Sequence, residues 1–113
     1  MHELGITRSV VAICAEHVAR QGSARRVTQV TLEVGKLAAV MPDALRFCFD
    51  ICAQGSVVEG ATLEIIEIPG RARCRNCATE VDLEQLFGRC ACGSTDLEVI
   101  GGEELKIKQM EVL

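Results

Sequence analysis

The sequence predicts an α/β (α+β) fold, a small domain of two helices and a mixed sheet into which a four-cysteine ribbon module is inserted. Three observations carry this expectation. Stretches with helical apolar spacing alternate with stretches of period two. Four of the seven cysteines, Cys74, Cys77, Cys90 and Cys92, crowd into one segment poor in large apolar side chains. Beyond that segment the pattern becomes strand-like again, from Glu103 to Val112, as if the chain returned to a sheet begun earlier.

From Leu4 to Arg20 the positions Leu4, Val11, Cys14 and Val18, with Ile6, Val10 and Ile13 alongside, form a wide helical stripe, and Gly22 is placed to end it. Val27 to Val34 switches to period two. Val30, Leu32 and Val34 share one face, Thr31 and Glu33 the other, in the β-branched residues that suit a strand. Pro42 and Asp43 read as a helix start, the proline tolerated in the first turn and the carboxylate favourable at the positive end of the macrodipole. Leu45, Cys48, Phe49 and Cys52 continue that stripe, and Gly55 stops it. Ala61 to Ile68 reads as a second strand, and Pro69-Gly70 is the sharpest break in the chain. In the last strand Leu105 and Ile107 share one parity, Met110 and Val112 the other. Such a slip marks a bulge, or a strand that leaves one core and enters another. The second alternative places residues 1–69 in one α/β domain, returns residues 104–113 to its sheet, and leaves residues 70–103 as the inserted module.

A chain of 113 residues leaves no room for two large domains. With 49% apolar and 25% charged residues the composition is globular, but aromatics are 3%, so the core is aliphatic and modest. An odd number of cysteines, four clustered and Cys14, Cys48 and Cys52 in apolar stretches, suits metal binding plus buried thiols better than disulfides, and so a reducing, cytoplasmic setting. Met1-His2-Glu3-Leu4 lacks the basic start of a secretory signal, and no apolar run approaches the length of a membrane span. Twelve basic residues against sixteen acidic ones give a net charge of −4, whereas a chain that neutralises nucleic-acid phosphates should lean the other way.

Cys74-Arg75-Asn76-Cys77, twelve intervening residues and then Cys90-Ala91-Cys92 supply four thiolates, the number that closes a tetrahedral structural zinc site with no position left for water. An all-thiolate tetrahedron also suits iron, and a reactive dithiol is a third reading. Residues 71–101 cannot bury enough surface to fold unaided, so a metal must supply the missing stability. Arg71, Arg73, Arg75 and Arg89 flank the ligands and offset part of the −2 charge of a zinc tetrathiolate. The sharper reading of the same arginines is a phosphate-binding patch, in a zinc-ribbon module that binds nucleic acid or another protein.

His2 and Glu3 stand at the start of the chain, where an α-amine, backbone nitrogens and an imidazole can close small chelate rings around one ion. Nitrogen donors in a planar array suit Ni2+ or Cu2+. Glu3 can lend a nitrogen or its carboxylate, or orient the imidazole. His17 reads as a partly buried structural histidine, and Cys48 and Cys52, four apart on one helical face, as core thiols. Asp43 reads as a helix-terminal carboxylate, with a nickel ligand as its other reading. No nucleophile triad, phosphate loop or dinucleotide motif is present, so no catalytic residue is expected.

These residues together resemble the HypA/HybF nickel metallochaperones of [NiFe]-hydrogenase maturation. The likeness runs through Met1-His2-Glu3-Leu4, Glu33-Val34-Gly35-Lys36-Leu37, the cysteine module with its Cys92-Gly93-Ser94 knuckle, Gly102-Glu103-Glu104-Leu105, and Glu111-Val112. It implies a nickel-binding α/β domain with a zinc-ribbon insertion, nickel held transiently by His2 and Glu3, and structural zinc held by Cys74, Cys77, Cys90 and Cys92. It also implies a carrier rather than an enzyme, the GTPase HypB as partner, the hydrogenase large-subunit precursor as recipient, and no nucleic-acid or membrane partner. It admits a homodimer. The second cysteine pair is C-x-C, where many members have C-x2-C.

Overall fold

The computed structural model describes residues 2–22 and 25–113, apart from the side chain of His2. The elements in chain order are α1 (His2–Arg20), β1 (Val27–Gly35), α2 (Pro42–Ala53), β2 (Thr62–Ile68), β3 (Gly70–Cys74), β4 (Glu80–Leu83), β5 (Leu97–Gly101) and β6 (Leu105–Val112). The strands form two three-stranded sheets, ordered β2-β1-β6 and β4-β3-β5. The mixed α+β architecture is therefore the one the sequence predicts.

β1 is the middle strand of the first sheet. Leu113 N donates to Arg26 O, Thr28 Oγ1 to Glu111 O and Gly35 N to Glu104 O. As the number rises on one strand it falls on the other, so β1 and β6 are antiparallel. Val27 N donates to Val57 O and Lys36 N to Ile68 O, both numbers rising together, so β1 and β2 are parallel with α2 in the crossover between them.

Contacts divide the chain into two compact units. The first holds residues 1–32, 40–65 and 107–113. Its core is Val10, Cys14 and Val18 of α1, Val27, Val30 and Leu32 of β1, Leu45, Phe49 and Ala53 of α2, and Val58 and Leu63. Burial of side chains such as Leu45 and Phe49 stabilises by about 1.5–3 kcal/mol each. Thr31, expected on a polar face, is buried beside Val30 and Leu32. In the middle strand the period-two alternation is thus interrupted by three consecutive buried residues, Val30, Thr31 and Leu32.

The second unit holds residues 33–39 and 66–106. β3 pairs antiparallel with β4 and with β5, with a register shift between Arg71 and Ala72 on the β5 side. Ala72, Leu83 and Leu37 form its core, with Val81, Leu97 and Val99 packed against them. Leu37 comes from the segment that follows β1, far in sequence from the cysteines. The break expected at Pro69-Gly70 is one residue long, because β2 ends at Ile68 and β3 begins at Gly70. Gly70 cannot carry a side chain: a Cβ there would overlap the Leu83 carbonyl oxygen and press on Leu37. β6 has Leu105 and Lys106 in the second unit and Ile107–Val112 in the first, while its apolar phase changes further along, between Ile107 and Met110.

Candidate metal centres

Two short hairpin-like turns bring the four cysteines together. In the first, Cys74 N donates to Thr79 O and Ala78 N to Cys74 O, both at 2.8 Å. In the second, Cys90 N donates to Ser94 O at 2.9 Å and Gly93 N to Cys90 O at 2.8 Å. Each turn closes through a residue in the left-handed region directly after its second cysteine, Ala78 at φ 64° and Gly93 at φ 93°. Glycine meets that demand without strain and alanine does not.

The four sulfurs lie within 4.8 Å of one another. Cys74 and Cys92 approach to 3.7 Å, Cys77 and Cys90 to 3.5 Å. These spacings exceed the roughly 2.05 Å of a disulfide. They sit close to the edge of about 3.8 Å that a tetrahedron with Zn–S of about 2.3 Å requires. Cys74 and Cys90 are buried, Cys77 and Cys92 exposed. The cage therefore has an inner and an outer edge.

Local hydrogen-bonding contacts lower two of the thiols. The hydroxyl of Thr79, 3.2 Å from Cys77 Sγ, then the Thr79 backbone and the neighbouring Cys90, hold the Cys77 thiol down to about 6. Asn76 Nδ2 donates to Cys92 Sγ at 3.6 Å and, with the Ser94 backbone, lowers that thiol. Cys90 goes the other way. The Cys92 backbone favours its thiolate, but the sulfurs of Cys77, Cys92 and Cys74 together with burial push it up to about 11. Four sulfurs this close do not all ionise alone, and a cation at their centre is the group that removes the remaining protons.

The flanking arginines are engaged. Arg71 bonds Asp82 at 3.0 Å and Glu80 at 2.9 Å, Arg73 bonds Glu80 at 2.9 Å, and Arg75 bonds Asp96 at 3.0 Å. Arg89 donates to Gly93 O at 3.0 Å, across the second turn. Arg73 and Arg71 hold the Glu80 carboxyl below its ordinary range. Each guanidinium thus has a protein acceptor, which favours charge compensation and local cross-strand pairing over a phosphate patch as the role of these arginines.

The second candidate lies at the start of α1. His2 is its first residue, and its imidazole lies outside the described residues. Glu3 is buried, and its Oε2 accepts the backbone N–H of Met41 at 3.1 Å. Met41 is the N-cap of α2 and has no side-chain cap of its own, so a carboxylate from another helix serves its amide. Sequence reading missed this contact, which spans 38 positions. Asp43 is exposed in the first turn of α2.

The other thiols stay apart. Cys14 is fully buried, which pushes its thiol up. Cys52 Sγ lies 3.5 Å from Thr7 Oγ1, and Cys48 is half-buried. Neither joins a group of three metal donors among the described residues. His17, partly buried, meets Gln21 at 3.3 Å. Among the described residues no helix is long and apolar enough to cross a membrane.

Comparison with known proteins gives this geometry a context. The family described as "Hydrogenase/urease nickel incorporation, metallochaperone, hypA" matches residues 1–112. Hydrogenase maturation factor HypA of Nostoc punctiforme is 59% identical over 112 residues, 99% of this chain and 96% of that protein. The HypA of Geobacter metallireducens is 45% identical over 113 residues, 99% of each chain. The solution structure of the Ni metallochaperone HypA from Helicobacter pylori superposes with a TM-score of 0.67 at 24% identity, covering 98% of this chain and 97% of that one. A second HypA solution structure does so with a TM-score of 0.73 at 24% identity, covering 100% and 97%. At that identity the structural likeness speaks for the fold, while the family match and the curated relatives speak for descent. A four-sulfur cage, an α+β scaffold and a matching family over nearly every residue lead to one conclusion: this chain belongs to the HypA family of nickel-incorporation metallochaperones, carriers rather than enzymes.

Proposed function

We propose that this protein binds Ni2+ through His2 and Glu3 and delivers it to the large-subunit precursor of a [NiFe]-hydrogenase, with the GTPase HypB as its partner in loading. The end-to-end family match carries this reading. Its chemical support is the position of His2 and Glu3 in the first turn of α1. The first N–H groups of a helix have no intrahelical acceptor, so the backbone nitrogens there are not committed to the helix ladder. An imidazole and such nitrogens together offer the planar donor set that suits Ni2+. Glu3 is positioned by its bond to Met41 and lends either a carboxylate oxygen or a fixed orientation.

Cys74, Cys77, Cys90 and Cys92 are the residues that hold zinc in this reading. The support is their number, their 3.5–3.7 Å closest spacings and the absence of an open position in a four-thiolate set. The zinc supplies folding stability to a unit whose apolar core is small, and the cargo ion never needs to enter the sulfur cage.

The test is metal titration with elemental analysis on the chain beginning at Met1 without an added tag. Wild type should bind nickel and retain zinc. His2→Ala should lose nickel binding and keep zinc and fold. Cys74→Ser should lose zinc and the ordered second unit. Nickel affinity unchanged in His2→Ala, or nickel found on the sulfurs alone, overturns the assignment.

A further inference from the structure

Cys48 and Cys52 of α2 belong to neither proposed metal site. They stand one turn apart on the flank of the helix, between the buried row of Leu45, Phe49 and Ala53 and the exposed Phe47 and Ile51. Both are half-buried thiols, less enclosed than the core thiols the sequence predicts, whereas Cys14 is fully buried. Residues four apart on a helix hold their Cβ atoms about 5–6 Å apart, so one ion can bridge two such sulfurs. Cys52 lines a groove of about 400 Å3 between the helices, with Leu4, Arg8 and Val11 of α1 among its other walls. A solute can therefore reach this sulfur from outside.

The Cys52 sulfur lies 3.5 Å from Thr7 Oγ1. Thr7 is fully buried and has one hydroxyl proton, which Glu3 O and Leu4 O, both at 3.0 Å, stand ready to accept. Toward Cys52 the hydroxyl oxygen is thus an acceptor, and the thiol is the donor. A cation that replaces the thiol proton leaves the sulfur in place. Among the described residues no third His, Cys or carboxylate donor groups with these two sulfurs. A two-sulfur set falls short of the four donors that Zn2+ or planar Ni2+ takes, and suits a soft ion content with two thiolates, of which Cu+ is the one thiolates select. Two thiolates around Cu+ leave a formal charge of −1. Arg8, in the wall of the same groove, is exposed and has no hydrogen-bond or ion-pair partner among the described residues, so its guanidinium is free to offset that charge. We propose that Cys48 and Cys52 form a Cu+ site, each ion entering as two thiol protons leave. These thiols hold only protons. Cu+ therefore fills this site before it attacks the four-sulfur cage, where, on the zinc reading of that cage, it must displace a bound ion.

Anaerobic titration of the full, zinc-loaded chain with Cu+ buffered by the chromogenic chelator bicinchoninate, with zinc release read in the same samples, tests this. Elemental analysis of the starting protein identifies the ion in the cage, so a wrong metal there and a missing Cu+ site give different results. Wild type should take up one Cu+ per chain before zinc appears in solution. Cys48→Ser and Cys52→Ser should each lose that first equivalent and release zinc from the first addition, and Cys48→Ala and Cys52→Ala should do the same with no hydroxyl introduced. Unchanged far-UV dichroism shows that the variants keep their helices. Arg8→Ala should weaken uptake several-fold, the difference shrinking at high salt. His2→Ala should leave uptake in place, which separates this site from the nickel reading. X-ray absorption at the copper edge of the singly loaded wild type should report two sulfur neighbours. A first equivalent that displaces zinc one for one, that survives in both alanine variants, or that is lost with His2 overturns the proposal.

Discussion

Glu3, in the first turn of α1, accepts the backbone N–H of Met41, the residue that opens α2, at 3.1 Å. The contact does for α2 what the acidic member of a capping box does within one helix: it satisfies the N-cap amide. Here the carboxylate comes from a different helix, so the residue that follows His2 in the chain also secures the entry of α2.

Glu3→Ala should therefore lower the melting temperature of the metal-free protein by a few degrees, because the Met41 amide loses its acceptor. Glu3→Gln keeps an amide oxygen in place and should retain most of that stability. Nickel titration of the same pair separates the two roles of Glu3. If Gln melts like wild type but binds nickel weakly, the carboxylate charge serves the ion; if both are unchanged, Glu3 acts only as a structural acceptor.

Gly35 and Gly102 meet backbone to backbone. A Cβ on Gly35 would overlap the Gly102 carbonyl, and Leu37 N donates to that same carbonyl at 2.7 Å, so the strand cannot slide away without breaking its own bond. Gly35→Ala should destabilise the protein by about 3 kcal/mol, at the upper end of overpacking costs. Gly101→Ala is the control. Its Cβ would find nothing nearer than Glu104 Oε2 at 3.9 Å, and denaturant melts should show little change.

The two helices and β1 were legible because one strong period governs each: Val10, Cys14 and Val18 recur on the buried side of α1, and Leu45 and Phe49 on that of α2. The cysteine cluster was legible from spacing alone. The strands of the second unit were not, since β3, β4 and β5 carry few apolar residues and are fixed by cross-strand pairs such as Arg71 with Asp82 and Arg73 with Glu80. Leu37 was unreadable for another reason. Nothing local to it says that it packs with Ala72 and Leu83, more than thirty positions on. The Glu3–Met41 bond is of the same kind, visible only once α1 and α2 are brought together.

Ala78 holds φ 64° at the position where the second turn has Gly93. Left-handed backbone costs an L-residue roughly 1–2 kcal/mol. Ala78→Gly should therefore stabilise the zinc-loaded protein by up to about 1 kcal/mol, part of the gain being offset by the freer unfolded glycine. Gly93→Ala should destabilise by about 1–2 kcal/mol, although open space surrounds its Cβ. Chelator competition, which reads the stability of the loaded turns, should rank the proteins Ala78→Gly, wild type, Gly93→Ala.

The pH dependence of zinc retention follows from which sulfurs carry protons in the metal-free cage. Each proton that zinc displaces steepens the fall of affinity with acid. Above about pH 6 the Cys77 sulfur, held down by Thr79, is already a thiolate and contributes nothing to that slope. Cys90, pushed up to about 11, is protonated across the whole neutral range and contributes one proton throughout. The sign is therefore definite: affinity should fall as pH drops, and the slope of log affinity against pH should steepen by about one as pH passes down through about 6, where Cys77 also takes up a proton. Thr79→Val removes the hydroxyl nearest the sulfur and should move that change of slope to higher pH. Chelator competition measured from pH 5 to 8 in steps of about half a unit would resolve it. A slope that is constant across that range, or one that Thr79→Val leaves in place, would show that the Thr79 hydroxyl does not set the ionisation of Cys77.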